Sequence, residues 1–181
     1  RSGHYDFEPG EEMQHDTSPH TVAVGGTKRR LDCASLILCY SRMLYAQVYT
    51  RWSRLECRDF LSRAILYLGG AAHRCVVDNH SVVIGHGTGR NAVAADEMQA
   101  LARHFGFGFL AHELGDANRS GRVERPFHHI EHNFYAGRSF SDIDDLNRQL
   151  GAWCDQVNRS VKRHLMASPI ELYARDRSAL A

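Results

Sequence analysis

The stretch Arg74-Cys75-Val76-Val77-Asp78-Asn79 decides how the chain is read. Three apolar residues run together and give way at once to an acid and an amide. A strand buried on both faces of a parallel sheet has this pattern, with its polar end emerging at the sheet edge. Upstream, Leu55, Phe60, Leu61, Ala64, Ile65 and Leu68 follow a helical period from Ser53 and stop at Gly69-Gly70, a helix-ending signal. Further back lie three strand-like segments, 12–24 (interrupted at Pro19), 31–40 and 43–50. The links between them contain Gly25-Gly26 and Ser41-Arg42 and are short enough for an antiparallel meander.

Downstream, residues 85–91 form a Gly-rich stretch, Gly85-His86-Gly87-Thr88-Gly89-Arg90-Asn91. It lacks the Lys-Ser/Thr of a Walker phosphate loop and reads as a flexible loop. A helix is predicted over 94–104, with Met98, Leu101 and Ala102 on its apolar face, then a short strand over 107–111. After a polar loop at 115–121, helices are predicted over 122–135 and 141–159. Ser141 would cap the second, with Asp142, Asp144 and Asp145 in its first turn. The order βββ-α-β-α-β-α-α implies an α/β fold: a mixed five-stranded sheet, three strands antiparallel and two parallel, with helices on both faces. That is the order of a ribonuclease-H-like fold. It would occupy 5–165, leaving 166–181 as a C-terminal extension or the start of a linker to a missing domain.

Bulk properties agree with a globular domain. The chain has 181 residues, 43% hydrophobic and 24% charged, enough for one core of ordinary size. No apolar run approaches the roughly 18 residues that span a bilayer. The first residues, Arg1-Ser2-Gly3-His4, carry neither an initiator Met nor a signal peptide, and read as a cut from a longer protein. Five cysteines without a C-x-x-C pair, mostly in apolar settings, read as buried reduced thiols. A net charge of +1 is low for a dedicated sequence-reading DNA-binding domain, though it leaves room for a small basic groove.

Three acids stand where chemistry is expected. Ligands gather where the strands of such a sheet end, and Asp78 is placed there, as a cap of the next turn or as a metal ligand. Asp16 lies inside the first strand, where alternation puts it with Gln14 on one face and Met13 and His15 on the other. An ionised carboxylate in a central strand is costly unless paired or bound to metal; on an exposed edge it would be ordinary. Glu124 precedes an apolar stripe, Val123, Phe127, Ile130 and Phe134, and shares a neighbouring stripe with His128 and Glu131. It therefore stands at the rim of the buried face or on a solvated helix side. Hard divalent cations want carboxylate oxygens, and two such ions can clamp the attacking and leaving oxygens of a phosphoryl transfer.

With these residues in place, the sequence resembles the DDE transposase and retroviral-integrase superfamily, most of all bacterial insertion-sequence transposases of the IstA type. The matching pieces are Pro9-Gly10-Glu11-Glu12-Met13-Gln14-His15-Asp16, Val77-Asp78-Asn79 and Gly121-Arg122-Val123-Glu124-Arg125. Asn133-Phe134, Asp145-Leu146-Asn147, Leu150, Trp153 and Pro169-Ile170-Glu171-Leu172 fall where that family has similar residues. The resemblance implies two Mg²⁺ or Mn²⁺ ions on Asp16, Asp78 and Glu124, cleavage of DNA ends and strand transfer into target DNA. It implies support of Asp78 by Asn79, a homo-oligomer, an ATPase helper, and a place in the bacterial cytoplasm at the nucleoid. Where many relatives have an aromatic residue and glycine after the first aspartate, this chain has Thr17-Ser18-Pro19, and Ser120 replaces a lysine of the third motif.

Arg119, Arg122 and Arg125 bracket Glu124 and, with His128, are candidate DNA contacts, since basic groups beside an acidic site suit a phosphate-bearing substrate. His128-His129 and His132 invite a zinc reading, but no cysteine pair accompanies them. Two rival functions keep the same fold. One is a catalytically inactive remnant acting only in DNA binding or subunit contacts. The other is a ribonuclease-H-like nuclease, which would need a fourth core carboxylate; Asp32 and Glu131 are the nearest candidates.

Overall fold

The computed structural model describes residues 7–112 and 126–181. Glu124, Arg119, Arg122 and Arg125 lie outside the described residues, as does the first part of the helix expected over 122–135. Strands β1 (Glu12–Val24), β2 (Thr27–Leu38) and β3 (Leu44–Tyr49) form the expected antiparallel meander. Helix α1 (Arg54–Leu68) returns the chain to β4 (Arg74–Asp78), which pairs in parallel with β1. Two very short strands follow, β5 (Ile84–His86) and β6 (Val93–Ala94), then α2 (Asp96–Phe105) and β7 (Gly108–His112), parallel to β4. The main sheet has the order β3-β2-β1-β4-β7, five strands with three antiparallel and two added in parallel.

Local chemistry explains the boundaries. The Ser53 side chain accepts the Leu55 N–H at the start of α1, and Gly69, at φ 80°, closes its end with a left-handed turn suited to glycine. Pro19 does not interrupt β1. It lies beyond the last β1–β4 pairing, so its missing N–H costs no bond on that side, and it stays opposite Asp32 of β2.

The sheet separates two cores. On one face Met13, Leu36, Cys75 and Val77 pack with Phe60, Leu61, Ile65 of α1 and Met98 of α2. On the other, Val22, Val24, Leu31 and Cys33 pack with a helical turn α3 (Phe127–His129), its continuation as a π-helix over Ile130–Phe134, and α4 (Ile143–Arg159). The expected apolar stripe is real where it is described: Phe127, Ile130 and Phe134 are all buried. The five cysteines are buried and unbridged.

Two further expectations are corrected. The Gly-rich stretch is not a loop throughout: Ile84–His86 and Val93–Ala94 pair as a small hairpin around a 3₁₀ turn at Gly89–Asn91. Arg54 of α1 braces it, Nε donating to the Val82 carbonyl at 2.7 Å and a terminal nitrogen to the Ile84 carbonyl at 3.2 Å. Asp142, not Ser141, caps α4, its carboxylate accepting the Asp145 N–H at 2.7 Å. Ser141 instead donates its N–H to Asp145 at 2.9 Å.

Residues 166–181 carry α5 (Pro169–Ala179), opened by a capping box between Ser168 and Glu171. The helix docks through the buried carboxylate of Asp176, which accepts the Gly10 N–H at 2.7 Å and the Ser41 N–H at 2.9 Å. Leu172 adds to a small cluster of Phe7, Ile37, Cys39 and Tyr40.

On the opposite side, α4 closes the outer edge of β3. The Asn158 amide receives the Leu44 N–H and donates to the Leu44 carbonyl, each at 2.9 Å. Asn147 does the same for Val48, at 2.8 and 3.0 Å. Both main-chain groups of two edge residues are thereby satisfied by side chains.

Candidate active site

Asp16 and Asp78 are placed by the parallel ladder between β1 and β4. Glu12 pairs with Arg74, Met13 with Cys75 and Gln14 with Val76, an offset of 62 residues. The two aspartates are also 62 residues apart in sequence, so they stand at the same level of neighbouring strands, two residues beyond the last pair. In-register residues of parallel strands point to the same face. The Glu12–Arg74 pair shows which: Arg74 Nε donates to Glu12 at 2.7 Å on that face, while Met13, Cys75 and Val77 fill the opposite core.

Each aspartate also serves its own turn. Asp16 accepts the Thr17 N–H at 2.8 Å, and Asp78 accepts the His80 N–H at 2.8 Å. The capping role considered for Asp78 is therefore real, and it uses a single named oxygen, Oδ1. Both residues are half-buried. The Asn79 side chain is turned to the hairpin, its Oδ1 accepting the Gly89 N–H at 2.9 Å, while its N–H donates to the His112 carbonyl of β7 at 3.1 Å. The Gly-rich turn is thus held beside the end of β4.

The α3 segment covers the same face farther along β1. His20, four residues after Asp16 and on its face, meets the Phe127 ring edge-on at 5.8 Å. Phe127 follows Glu124 by three residues in sequence. His128 is exposed, its ring 3.9 Å from that of His132, whose Nδ1 lies 2.8 Å from the His128 carbonyl. His129 is engaged by Asn133 at 2.7 Å and lies against Trp153. No cluster of three or more His, Cys, Asp or Glu with metal-binding geometry occurs among the described residues; the third acid, Glu124, lies outside them. Of the two candidates for a fourth carboxylate, Glu131 lies 3.3 Å from His20 Nε2, and Asp32 faces Pro19 and Tyr49 in the sheet.

Sequence reasoning missed His20 and the Glu12–Arg74 pair. The pair had a signal: the same 62-residue offset that relates the two aspartates relates Glu12 to Arg74.

No family model matches the chain. It is 31% identical over 175 residues to the IS5376 transposase of Geobacillus stearothermophilus, covering 95% of this chain and 44% of that protein. It is 27% identical over 158 residues to the transposase of insertion sequence IS640 from Shigella sonnei, covering 87% of this chain and 50% of that one. With the IS21 transposase of Pseudomonas aeruginosa it shares 25% identity over 182 residues, 99% of this chain and 47% of the relative. Among solved structures, a chain of a simian T-cell lymphotropic virus intasome, in complex with PP2A regulatory subunit B56 gamma, matches with a TM-score of 0.65 at 16% identity, covering 92% of this chain and 55% of the other. The HTLV-2 integrase catalytic core domain, solved in complex with magnesium in a dimeric form, matches with a TM-score of 0.60 at 11% identity, covering 92% and 98%.

Over nearly its whole length, the chain is similar to insertion-sequence transposases.

The likeness to an integrase core at low identity establishes the ribonuclease-H-like fold of the chain, with its sheet order and helices on both faces. The chain spans about half the length of the curated transposases it matches. Among the described residues, no helix is long and apolar enough to cross a membrane.

Proposed function

We propose that this chain is the catalytic core of a DNA transposase, cleaving DNA at the ends of a mobile element and joining the freed ends to target DNA. The observation that carries the reading is the placement of Asp16 and Asp78 at one level and on one face of neighbouring parallel strands. Their donor chemistry fits Mg²⁺ or Mn²⁺, which favour hard carboxylate oxygens. Two like charges on adjacent strands also repel unless a cation lies between them. Glu124 is proposed as the third ligand, on the segment leading into the α3 turn. When bound, a pair of such ions would activate the attacking oxygen and neutralise charge on the phosphate.

The chain's own residues supply position. The turns at Thr17 and His80 each fix one oxygen of an aspartate, which limits how the carboxylates rotate. Asn79 ties the Gly-rich hairpin to the mouth of the site. Arg119, Arg122, Arg125 and His128 are proposed to hold the DNA backbone as it enters, since phosphate contacts give orientation rather than sequence. The proposed core extends over 5–165, with 166–181 as an extension. A homo-oligomer on the element ends, an ATPase helper, and action in the bacterial cytoplasm at the nucleoid belong to the same reading.

The test is metal-dependent nicking and strand transfer on duplexes carrying the element's ends. Asp16→Asn, Asp78→Asn and Glu124→Gln are expected to abolish both while DNA binding persists. Activity surviving all three substitutions would exclude this site, and DNA binding without activity in the parent would identify an inactive core. Cleavage confined to RNA–DNA hybrids would identify a nuclease instead.

A further inference from the structure

Beyond the level of Asp16 the sheet narrows to two strands. The last β1–β4 pair is Gln14 with Val76, and the last β2–β3 pair is Asp32 with Tyr49. From His20 to Val24, β1 pairs with Leu31 to Thr27 of β2 and with no other described strand. This ribbon is seated on one side only. Val22, Val24 and Leu31 belong to the core shared with α3 and α4, and the Gly25 N–H donates to the Phe140 carbonyl at 2.8 Å. On the other side the core residues supplied by β1 and β2 end at Met13 and Ala34, and Pro19, Thr21 and Ala23 are exposed.

The free rim of the ribbon carries Lys28, Arg29 and Arg30, opposite Ala23, Val22 and Thr21, and all three cations are exposed. Alternation sends Arg29 to one side of β2 and its two neighbours to the other. Arg51, Arg63 and Arg148 each hold a carboxylate of their own. Among the described residues, no ion pair joins an acid to Lys28, Arg29 or Arg30. The one acid of the ribbon, Asp32, lies at its base opposite Pro19. Charges on an exposed edge also deter strand addition. That role accepts either sign and leaves the uniform sign of the cluster unexplained.

We infer that this rim is a second contact for duplex DNA, holding backbone phosphates away from the aspartates. The inference rests on the reading of the chain as acting on DNA. Thr21 lies five residues past Asp16, roughly 17 Å along the strand. That is about five phosphate steps of one DNA strand. Exposed cations on a ribbon neutralise phosphates without reading bases, so the contact orients the duplex and adds affinity irrespective of sequence.

The experiment is fluorescence anisotropy of a labelled random-sequence duplex, titrated with the chain at several salt concentrations without divalent metal. The parent is compared with Lys28→Gln/Arg29→Gln/Arg30→Gln and with Arg58→Gln/Arg103→Gln/Arg177→Gln, which removes the same charge from exposed positions elsewhere. The ribbon variant should bind about ten-fold or more weakly at low salt, with a salt dependence lower by about two to three ions. The control variant should stay close to the parent, and Arg29→Lys/Arg30→Lys should bind as the parent does. Equal losses in both triple variants would mean that net charge alone matters, and parental binding by the ribbon variant would leave the cations as edge guards. Either result overturns the inference, as does a parent that binds no duplex. The transposase reading is judged separately by metal-dependent nicking, and it survives if the parent nicks DNA while the ribbon variant binds as the parent does. Should the ribbon variant fail to fold, Arg30→Gln alone decides, with a salt dependence lower by about one ion.

Discussion

Asp16 lies level with Asp78 because β1 and β4 pair with the offset that separates the two aspartates in sequence. Substitution by asparagine at either position keeps the oxygen that accepts from Thr17 or His80 and removes one negative charge. Each of Asp16→Asn and Asp78→Asn should therefore melt at or slightly above the parental temperature without metal, because a repulsion is relieved. Cleavage should fall by about 100-fold or more, the scale of losing a preorganised electrostatic group. Paired melting and nicking assays check both halves, and a variant that loses activity only by unfolding would contradict the first.

Asp176 carries its charge to the end of α5 and spends it on two main-chain donors, Gly10 and Ser41. Asp176→Ala would leave both N–H groups buried and unsatisfied, costing about 2–5 kcal/mol. Asp176→Asn should cost less, since one of the two acceptors survives. Urea unfolding of the three proteins gives the order, and a parental midpoint in the alanine variant would show that α5 docks by other means.

Asn147 and Asn158 are three helical turns apart on α4 and address two residues of β3. Leucine at 158 matches the amide in size but strands the Leu44 N–H and carbonyl, so Asn158→Leu should destabilise by about 2–4 kcal/mol. The same substitution at Asn147, which is less enclosed, should cost less. Chemical denaturation with light scattering separates loss of stability from self-association.

His20 titrates below the ordinary histidine range because burial disfavours its charged form, an effect only partly offset by Glu131. The unfolded chain takes up this proton near pH 6.5, the folded chain at a lower pH. Its contribution to stability is therefore complete above about pH 6.5 and is lost as pH falls through the folded value. The melting temperature of the parent should drop more steeply than that of His20→Gln between pH 7.5 and 5.5. Parallel curves would show that His20 does not govern this range.

Much of this structure is legible in the sequence where one physical requirement dominates. The Cys75-Val76-Val77 run can only be a doubly covered strand, and Ser53 and Gly69-Gly70 bracket α1 by capping chemistry alone. Asp16 and Asp78 were legible as acids in strands, but not as neighbours, since strand pairing is non-local. The β5–β6 hairpin escaped because strands of three and two residues carry no period. Asp176, Asn147 and Asn158 escaped for a different reason: a polar residue on a helix reads as solvated, and only tertiary structure supplies the buried amide it serves. His20 alternates correctly with Val22 and Val24, yet its partners lie more than a hundred residues away.

The amides of α4 also bear on self-association. A sheet grows into a filament only if it presents two open edges, one to add to and one to be added to. Asn147 and Asn158 stopper the β3 side, which confines strand addition to β7. Copies meeting there edge to edge would close as a pair and could not propagate, so protection of a single strand converts an aggregation hazard into a self-limiting one.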